Sequence, residues 1–272
     1  MNVVMTGGHT GLGLELTRRL IAENAQVGLI VRSSSRMADV PEAVRSAPNL
    51  TVFEADLTSR EAIDAVAQQI SDAWPHVDVL FNNAGVLLGE FRQSSNGNEM
   101  HLEVNTLAPM RLTHRLKPRL DEAAHPMVIN TVTGSMHSTV FDLSEVTDAS
   151  KFRRLFGAYL HSKAALIQLM NELAQRPEWQ NVAIRHVNPG ANKTSMTAGE
   201  GMPFWLRPFR WLLFSAPTKG ANLLYDAAFS DRYQGKTGIW LDEAKERAVP
   251  ATLSDDDRAA LLERLGPLSV TG

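Results

Sequence analysis

The feature that most narrows what this chain can become lies in its first thirteen residues. An apolar run, Asn2-Val3-Val4-Met5, passes directly into Thr6-Gly7-Gly8-His9-Thr10-Gly11-Leu12-Gly13 and then into an amphipathic segment. A strand that turns through glycines into a helix presents the helix's first backbone amides, and the positive end of its dipole, at the carboxyl edge of a sheet. Glycine allows both the tight turn and the close approach of backbone to a ligand. If strand and helix belong to a doubly wound sheet, this turn is the seat of a dinucleotide's pyrophosphate; if they do not, it is only a turn.

The remainder of the chain supports the doubly wound alternative. Short apolar, β-branched runs alternate with helix-length amphipathic segments, the pattern of parallel strands joined by crossover helices. Strands are expected at residues 2–5, 26–31, 50–54, 77–82, 127–132, 182–187 and 238–241, and helices at 11–24, 59–74, 98–120, 157–175 and 218–230. Thr58 with Glu61 has the form of a capping box that starts the second helix. Two stretches break the rhythm: 138–156, which mixes acidic and basic residues and reads as a surface excursion, and 191–216, which is rich in aromatic and apolar residues between Met202 and Phe214. The expectation is an α/β fold, a Rossmann-type parallel seven-stranded sheet with helices on both faces, in a single domain.

Composition removes several function classes. With 272 residues, 44% hydrophobic and 21% charged, the chain can bury one large core. A formal net charge of -3 gives no basic footprint for a nucleic-acid partner. The absence of cysteine removes disulfides and thiolate metal sites, and the eight histidines are scattered without ligand spacing, so no metal is expected. No apolar run approaches the ~20 residues that span a bilayer. Because the first strand begins at once, no targeting segment is expected, which points to a cytoplasmic protein.

From the glycine turn onward the chain resembles the short-chain dehydrogenase/reductase family. The spacing Gly7, Gly11, Gly13 is the first match. Asn82-Asn83-Ala84-Gly85 resembles the family's NNAG segment after the fourth strand, Tyr159-Leu160-His161-Ser162-Lys163 has its YxxxK form, and Asn188-Pro189-Gly190 with Thr194 resembles its post-strand cofactor loop. Each piece is common alone; together and in order they are specific. The resemblance covers nearly the whole chain and is weakest over 191–216. Phe141-Asp142-Leu143 and the tail over 238–265 are similar to retinol-dehydrogenase-like and protochlorophyllide-reductase-like members.

The resemblance implies an oxidoreductase that moves a hydride between nicotinamide and a carbonyl or alcohol carbon. It implies cofactor contacts at Gly7, His9, Thr10, Gly11, Leu12 and Gly13, at Asp56 and Leu57 beside the adenine, at Asn83, Ala84 and Gly85, and at Pro189, Gly190 and Thr194. At the end of the second strand, where NAD-preferring members place an acid, stand Arg32 and Ser33. Arginine there can pair with a 2′-phosphate, so NADP(H) is favoured over NAD(H).

Tyr159 and Lys163 lie four apart and project from one helix face. A cation about 4 Å from a phenol contributes on the order of 4 kcal/mol at an effective dielectric of ~20, enough to lower its pKa by up to roughly three units and make it a proton-exchanging group. The resemblance further implies that Lys163 holds the nicotinamide ribose and that Asn105 supports the proton relay; a buried asparagine serving backbone groups is the alternative for Asn105. The active-site hydroxyl is assigned to Ser135, because an ungapped match places Gly134 at the reactive position and glycine donates no side-chain hydrogen bond. Thr133 is the substitute. The remaining catalytic expectation is therefore the set Tyr159, Lys163, Ser135 and Asn105.

The stretch 191–216 is placed to close over a substrate, and its aromatics suggest one with a sizeable apolar part. A subunit contact and a peripheral membrane contact are the competing readings. The resemblance implies a homodimer or homotetramer built through the helices that carry Asn105 and Tyr159. The rival function is a catalytically silent NADP(H)-sensing or scaffold protein, supported only by the altered serine segment; a sugar epimerase would need a larger carboxyl-terminal domain.

Overall fold

The computed structural model describes residues 1–134, 141–153, 157–190, 216–249 and 253–268. The apolar runs become strands β1 (Asn2–Thr6), β2 (Gln26–Val31), β3 (Leu50–Glu54), β4 (Val79–Asn82), β5 (Met127–Thr131), β6 (Ala183–Asn188) and β7 (Ile239–Asp242), followed by a short β8 (Lys245–Arg247). Among the described residues they form one sheet in the order β3-β2-β1-β4-β5-β6-β7-β8, in which all pairs are parallel except β7 with β8. The seven expected strands are all present, and β8 is an addition. It returns against β7 through a turn at which Glu243 has a φ of 54°, and its three exposed residues carry no apolar signal from which a strand could be read.

The helices that flank the sheet are α1 (Gly11–Ala22), α2 (Arg60–Ala73), α3 (Ala108–Asp121), α4 (Ala158–Ala174), α5 (Pro217–Phe229) and α6 (Asp255–Leu265). Their apolar residues recur at helical spacing: Leu16 and Leu20 on α1, and Ile63, Val66, Ala67 and Ile70 on α2, are buried. This stripe is what fastens an amphipathic helix to a sheet. On one face of the sheet, α1 and α5 close a core around Val3, Met5, Leu29 and Phe81. On the other, α2, α3, α4 and α6 cover Val4, Leu80, Val128 and Ile184. Strands covered on both faces carry the continuous apolar runs seen in the sequence.

Two local expectations are corrected. The cap of α2 is Ser59, whose hydroxyl accepts from Ala62 N at 3.1 Å; Thr58 is taken up instead by Asp56 Oδ1, which accepts its amide at 2.9 Å and its hydroxyl at 2.8 Å. The stretch 138–156 is not only a surface excursion, because Phe141 and Val146 are buried in the core under α4.

The carboxyl-terminal helix α6 was not legible as a core element, yet Leu261 and Leu265 are buried. Its end is held by arginines from other helices: Arg111 donates to Leu265 O at 3.1 Å and, just beyond the helix, to Pro267 O at 3.2 Å, and Arg60 donates to Arg264 O. Cations at a helix's carboxyl end meet both its unpaired carbonyls and its dipole. Asp64 clamps Arg111 and Arg115 from the opposite side, at 2.5 and 2.7 Å.

Candidate active site

The site forms where the chain reverses direction across the sheet, between the carboxyl ends of β1 and β4, the position at which doubly wound folds bind ligands. Thr6, the last residue of β1, is buried, and its hydroxyl accepts from Asn83 N at 3.1 Å and Ala84 N at 3.0 Å. Asn83 Nδ2 in turn donates to Thr6 O at 3.1 Å and Gly7 O at 3.2 Å. The glycine turn and the segment after β4 are therefore laced together. In this structure the Asn83 side chain braces that lacing.

The glycines of the turn have separate reasons. Gly7 has a φ of +68°. A Cβ on Gly13 would stand 2.4 Å from Gly7 O and 2.7 Å from Asn83 Nδ2, so only glycine lets α1 press against the turn. Thr10 precedes α1 with extended backbone and makes no side-chain cap, and Leu14 N is the amide that bonds back to Thr10 O, at 3.2 Å. The preceding helical amides, of Gly11, Leu12 and Gly13, are those that lack an intrahelical acceptor in any helix. His9 Nδ1 is buried in the same turn without a hydrogen-bond partner among the described residues. A turn with uncommitted donors at a helix amino end fits the phosphates of a dinucleotide.

Beyond β2, Arg32 is exposed and Ser33 caps a short 3-10 turn, Ser34–Asp39. That turn brings Arg36 close enough to His9 that, after burial, its charge is the second cause holding the imidazole's pKa below the usual value. Arg36 is a cation the sequence reading missed. Glu54, at the end of β3, accepts from Ser34 N at 2.7 Å, and hydrogen bonding from the Ser34 side chain and then from this amide holds its carboxyl below the usual range. Asp56 is engaged with Thr58 as described, and Leu57 packs at the margin of the core.

Tyr159 and Lys163 lie on α4. Lys163 is buried, and its Nζ donates to Thr131 O at 2.9 Å, at the carboxyl end of β5. Thr131 Oγ1 reaches Asn83 Oδ1 at 3.4 Å, so α4 is linked through β5 to the segment that braces the glycine turn. Burial pushes the Lys163 ammonium down to about 8 and the Tyr159 phenol up to about 12. The expected lowering of Tyr159 by its lysine is thus reversed here. Burial is the cause of both shifts, and the ammonium is turned to the Thr131 carbonyl.

Asn105 falls in a π-helical stretch, Glu103–Leu107, immediately before α3. Its Oδ1 accepts from Val86 N at 2.8 Å, while its Nδ2 donates to Val86 O at 3.1 Å and to Ser162 Oγ at 3.1 Å. It therefore ties the segment following Gly85 to the helix of Tyr159. His101, also missed from sequence, extends the tie: its Nε2 accepts from Leu88 N at 2.9 Å, so its Nδ1 carries the proton shared with Glu99 Oε1 at 2.7 Å. Its ring meets Tyr159 edge-on, with centroids 6.2 Å apart.

At the far side, Asn188 Oδ1 accepts from Gly190 N at 3.1 Å, fixing the turn through Pro189. Asn188 Nδ2 donates to Asp242 Oδ1 at 2.8 Å, and a Cβ on Gly134 would stand 2.3 Å from that nitrogen. Gly134 thus leaves room for the Asn188–Asp242 pair, and Thr133 beside it is half-buried. Ser135, Thr194 and, apart from Ala216, the stretch 191–216 expected to close over a substrate lie outside the described residues. Among the described residues no group of three or more His, Cys, Asp or Glu could hold a metal ion, and no helix is long and apolar enough to cross a membrane.

Residues 1–202 match the family model described as short chain dehydrogenase. Human retinol dehydrogenase 11 is 30% identical over 236 residues, which cover 84% of this chain and 73% of that protein. Mouse retinol dehydrogenase 13 is 27% identical over 267 residues, covering 95% and 80%. Among solved structures, the Pseudomonas aeruginosa RhlG/NADP active-site complex is similar with a TM-score of 0.68 at 23% identity, over 89% of this chain and 94% of that one. Salutaridine reductase from Papaver somniferum is similar with a TM-score of 0.70 at 19% identity, over 88% and 98%. These two likenesses concern the fold.

Proposed function

The chain belongs to the short-chain dehydrogenase family, as a retinol-dehydrogenase-like member, and from that premise we propose that it is an NADP(H)-dependent oxidoreductase acting on an apolar carbonyl or alcohol, with Tyr159 as its proton donor. The observation that carries this reading is the linkage of α4 to the glycine turn. Lys163 Nζ on Thr131 O, Thr131 on Asn83, and Asn83 on Gly7 O join the YxxxK helix to the phosphate turn through one run of hydrogen bonds. Groups that must meet around one cofactor are thereby held by one frame.

The chemistry that a bound nicotinamide dinucleotide supplies is the hydride. The residues of this chain have the other tasks. The amides at the start of α1 hold phosphate charge, and Arg32, with Ser33 next to it in the chain, receives the 2′-phosphate that distinguishes NADP from NAD, while Arg36 adds positive charge near His9. Asp56 and Leu57 border the adenine, while Ala84, Gly85, Pro189 and Gly190 border the nicotinamide half. Tyr159, whose pKa is pushed up to about 12, keeps its proton at neutral pH and can give it to a carbonyl oxygen as the hydride arrives at carbon. The preference for NADP(H) favours reduction as the working direction. Lys163 holds the ribose. Asn105 and His101 fix the approach of the segment after β4 to α4.

The names of the relatives favour an apolar alcohol or aldehyde as substrate, in keeping with the aromatic composition of residues 202–214. We place the whole chain in one domain, with 191–216 as its cover and Ser135 as the polarising hydroxyl. Any dimer through α3 and α4 shares their outer side with α6. The test is turnover of NADPH with aldehydes of graded chain length. The reading requires rates that rise with apolar chain length, and a Tyr159→Phe variant that loses about 10²–10⁴-fold in kcat while still binding NADPH. A variant that retains full activity removes Tyr159 from the mechanism.

A further inference from the structure

Beneath the ends of the central strands lies a row of polar side chains that the proposed chemistry does not use. The register sets Asn82 on β4 opposite Asn130 on β5, Asn130 opposite His186 on β6, and His186 opposite Trp240 on β7. Residues in one row of a parallel sheet project from the same face, with neighbouring strands about 4.8 Å apart. Here that face is the one covered by α3 and α4, since Asn82 Nδ2 donates to Thr113 Oγ1 of α3 at 3.2 Å. The row is fully enclosed: Asn130 and His186 are 0% exposed and Asn82 2%.

One bond within the row is made directly, from Asn82 Nδ2 to Asn130 Oδ1 at 2.9 Å. Asn82 Oδ1, Asn130 Nδ2 and both ring nitrogens of His186 have no hydrogen-bond partner among the described residues. A buried polar atom left unpaired loses its hydration without recompense, and such atoms are rare in folded proteins. The unmet groups are of both kinds. Asn82 offers an acceptor, Asn130 offers donors, and an uncharged imidazole offers one of each. A set with matched donors and acceptors and no net charge suits water, which makes about three hydrogen bonds when buried, better than it suits an ion.

We propose that this row is an internal hydration site, in which water bridges His186 to the Asn82–Asn130 pair. The residues that follow Asn82 and Asn130 are Asn83, which braces the glycine turn, and Thr131, whose carbonyl holds Lys163. The bridging water therefore ties β4, β5 and β6 together directly below the site.

A high-resolution crystal structure of the full chain is the first test. The proposal requires an ordered water within about 2.7–3.2 Å of a His186 ring nitrogen and of Asn130 Nδ2. The second test is the sign of the change in Tm for His186→Leu. With a bridged row the substitution strands the Asn130 amide, and Tm falls by about 2–4 °C or more, while His186→Gln, which keeps a donor and an acceptor, loses less. With a dry row the same substitution removes two unpaired nitrogens from the core, and Tm holds or rises. A dry row in the crystal, or a His186→Leu variant at least as stable as the parent, overturns the proposal; the crystallographic arm stands even where a variant does not fold.

Discussion

At the scale of single residues, the two groups given proton and ribose roles are both governed by burial. Lys163 is pushed down to about 8, so it is mostly charged at pH 7 and neutral by pH 9. Tyr159, pushed up to about 12, stays protonated throughout that interval. If carbonyl reduction needs a protonated phenol and a charged lysine, kcat is level from pH 6 to 7 and falls as pH rises through about 8. A rate that climbs across that range contradicts the assignment. The YxxxK spacing was enough to bring these side chains to one helix face. The direction of the tyrosine shift was not legible, because it depends on burial in the folded chain, where the Lys163 ammonium is taken up by the Thr131 carbonyl. Asn83 is a similar case. Its segment was visible in the sequence, but its side-chain partners, Thr6 and Gly7, are 77 and 76 positions distant and meet it only across the β1–β4 junction.

At the scale of elements, the tightest constraint is the contact of α1 with the glycine turn. Gly13→Ala drives a methyl group toward Gly7 O, the same carbonyl that Asn83 uses, at 2.4 Å. The expected result is a loss of about 1–3 kcal/mol in unfolding free energy together with NADPH affinity weakened at least tenfold, read by denaturation and by nucleotide fluorescence. Wild-type affinity in that variant contradicts the role given to the turn. Most of the strands were legible because their apolar runs are covered on both faces, β3 being half-exposed at the edge, and the ends differ from expectation by no more than two residues. What the pattern hid is set by particular side chains. Ser59 displaces Thr58 as the cap of α2 because Asp56 claims the threonine. The π-helical stretch that carries Asn105 has no signature in periodicity. Helix α6 reads as a charged tail, since its docking depends on arginines from α2 and α3.

At the scale of the whole molecule, burial of histidine makes the fold sensitive to acid. His186 is pushed down to about 3 and His114 to about 4, in each case first by burial. The unfolded chain takes up these protons near pH 6.5, whereas the folded chain holds them off until pH 3–4. The stability these groups contribute is therefore fully present above about pH 6.5 and is lost as pH falls toward their folded values, by up to about 1.4 kcal/mol per pH unit for each. Urea midpoints should drop between pH 7.5 and 5, and by less in a His114→Gln variant; equal slopes in the two proteins contradict this. The same packing that enforces these shifts unites both layers of helices around one sheet, and the cofactor reading depends on that frame as a whole.

The measurement that tests the central claim most directly is the affinity of the purified chain for NADPH and NADH by nicotinamide fluorescence, repeated with Arg32→Ala. The account predicts tighter binding of NADPH than of NADH, and a variant that loses about tenfold or more for NADPH, as expected when a hydrogen-bonded charge worth about 1.5–3 kcal/mol is removed, with little change for NADH. Absence of binding by either nucleotide contradicts the oxidoreductase reading itself, and equal loss for both contradicts the place given to Arg32.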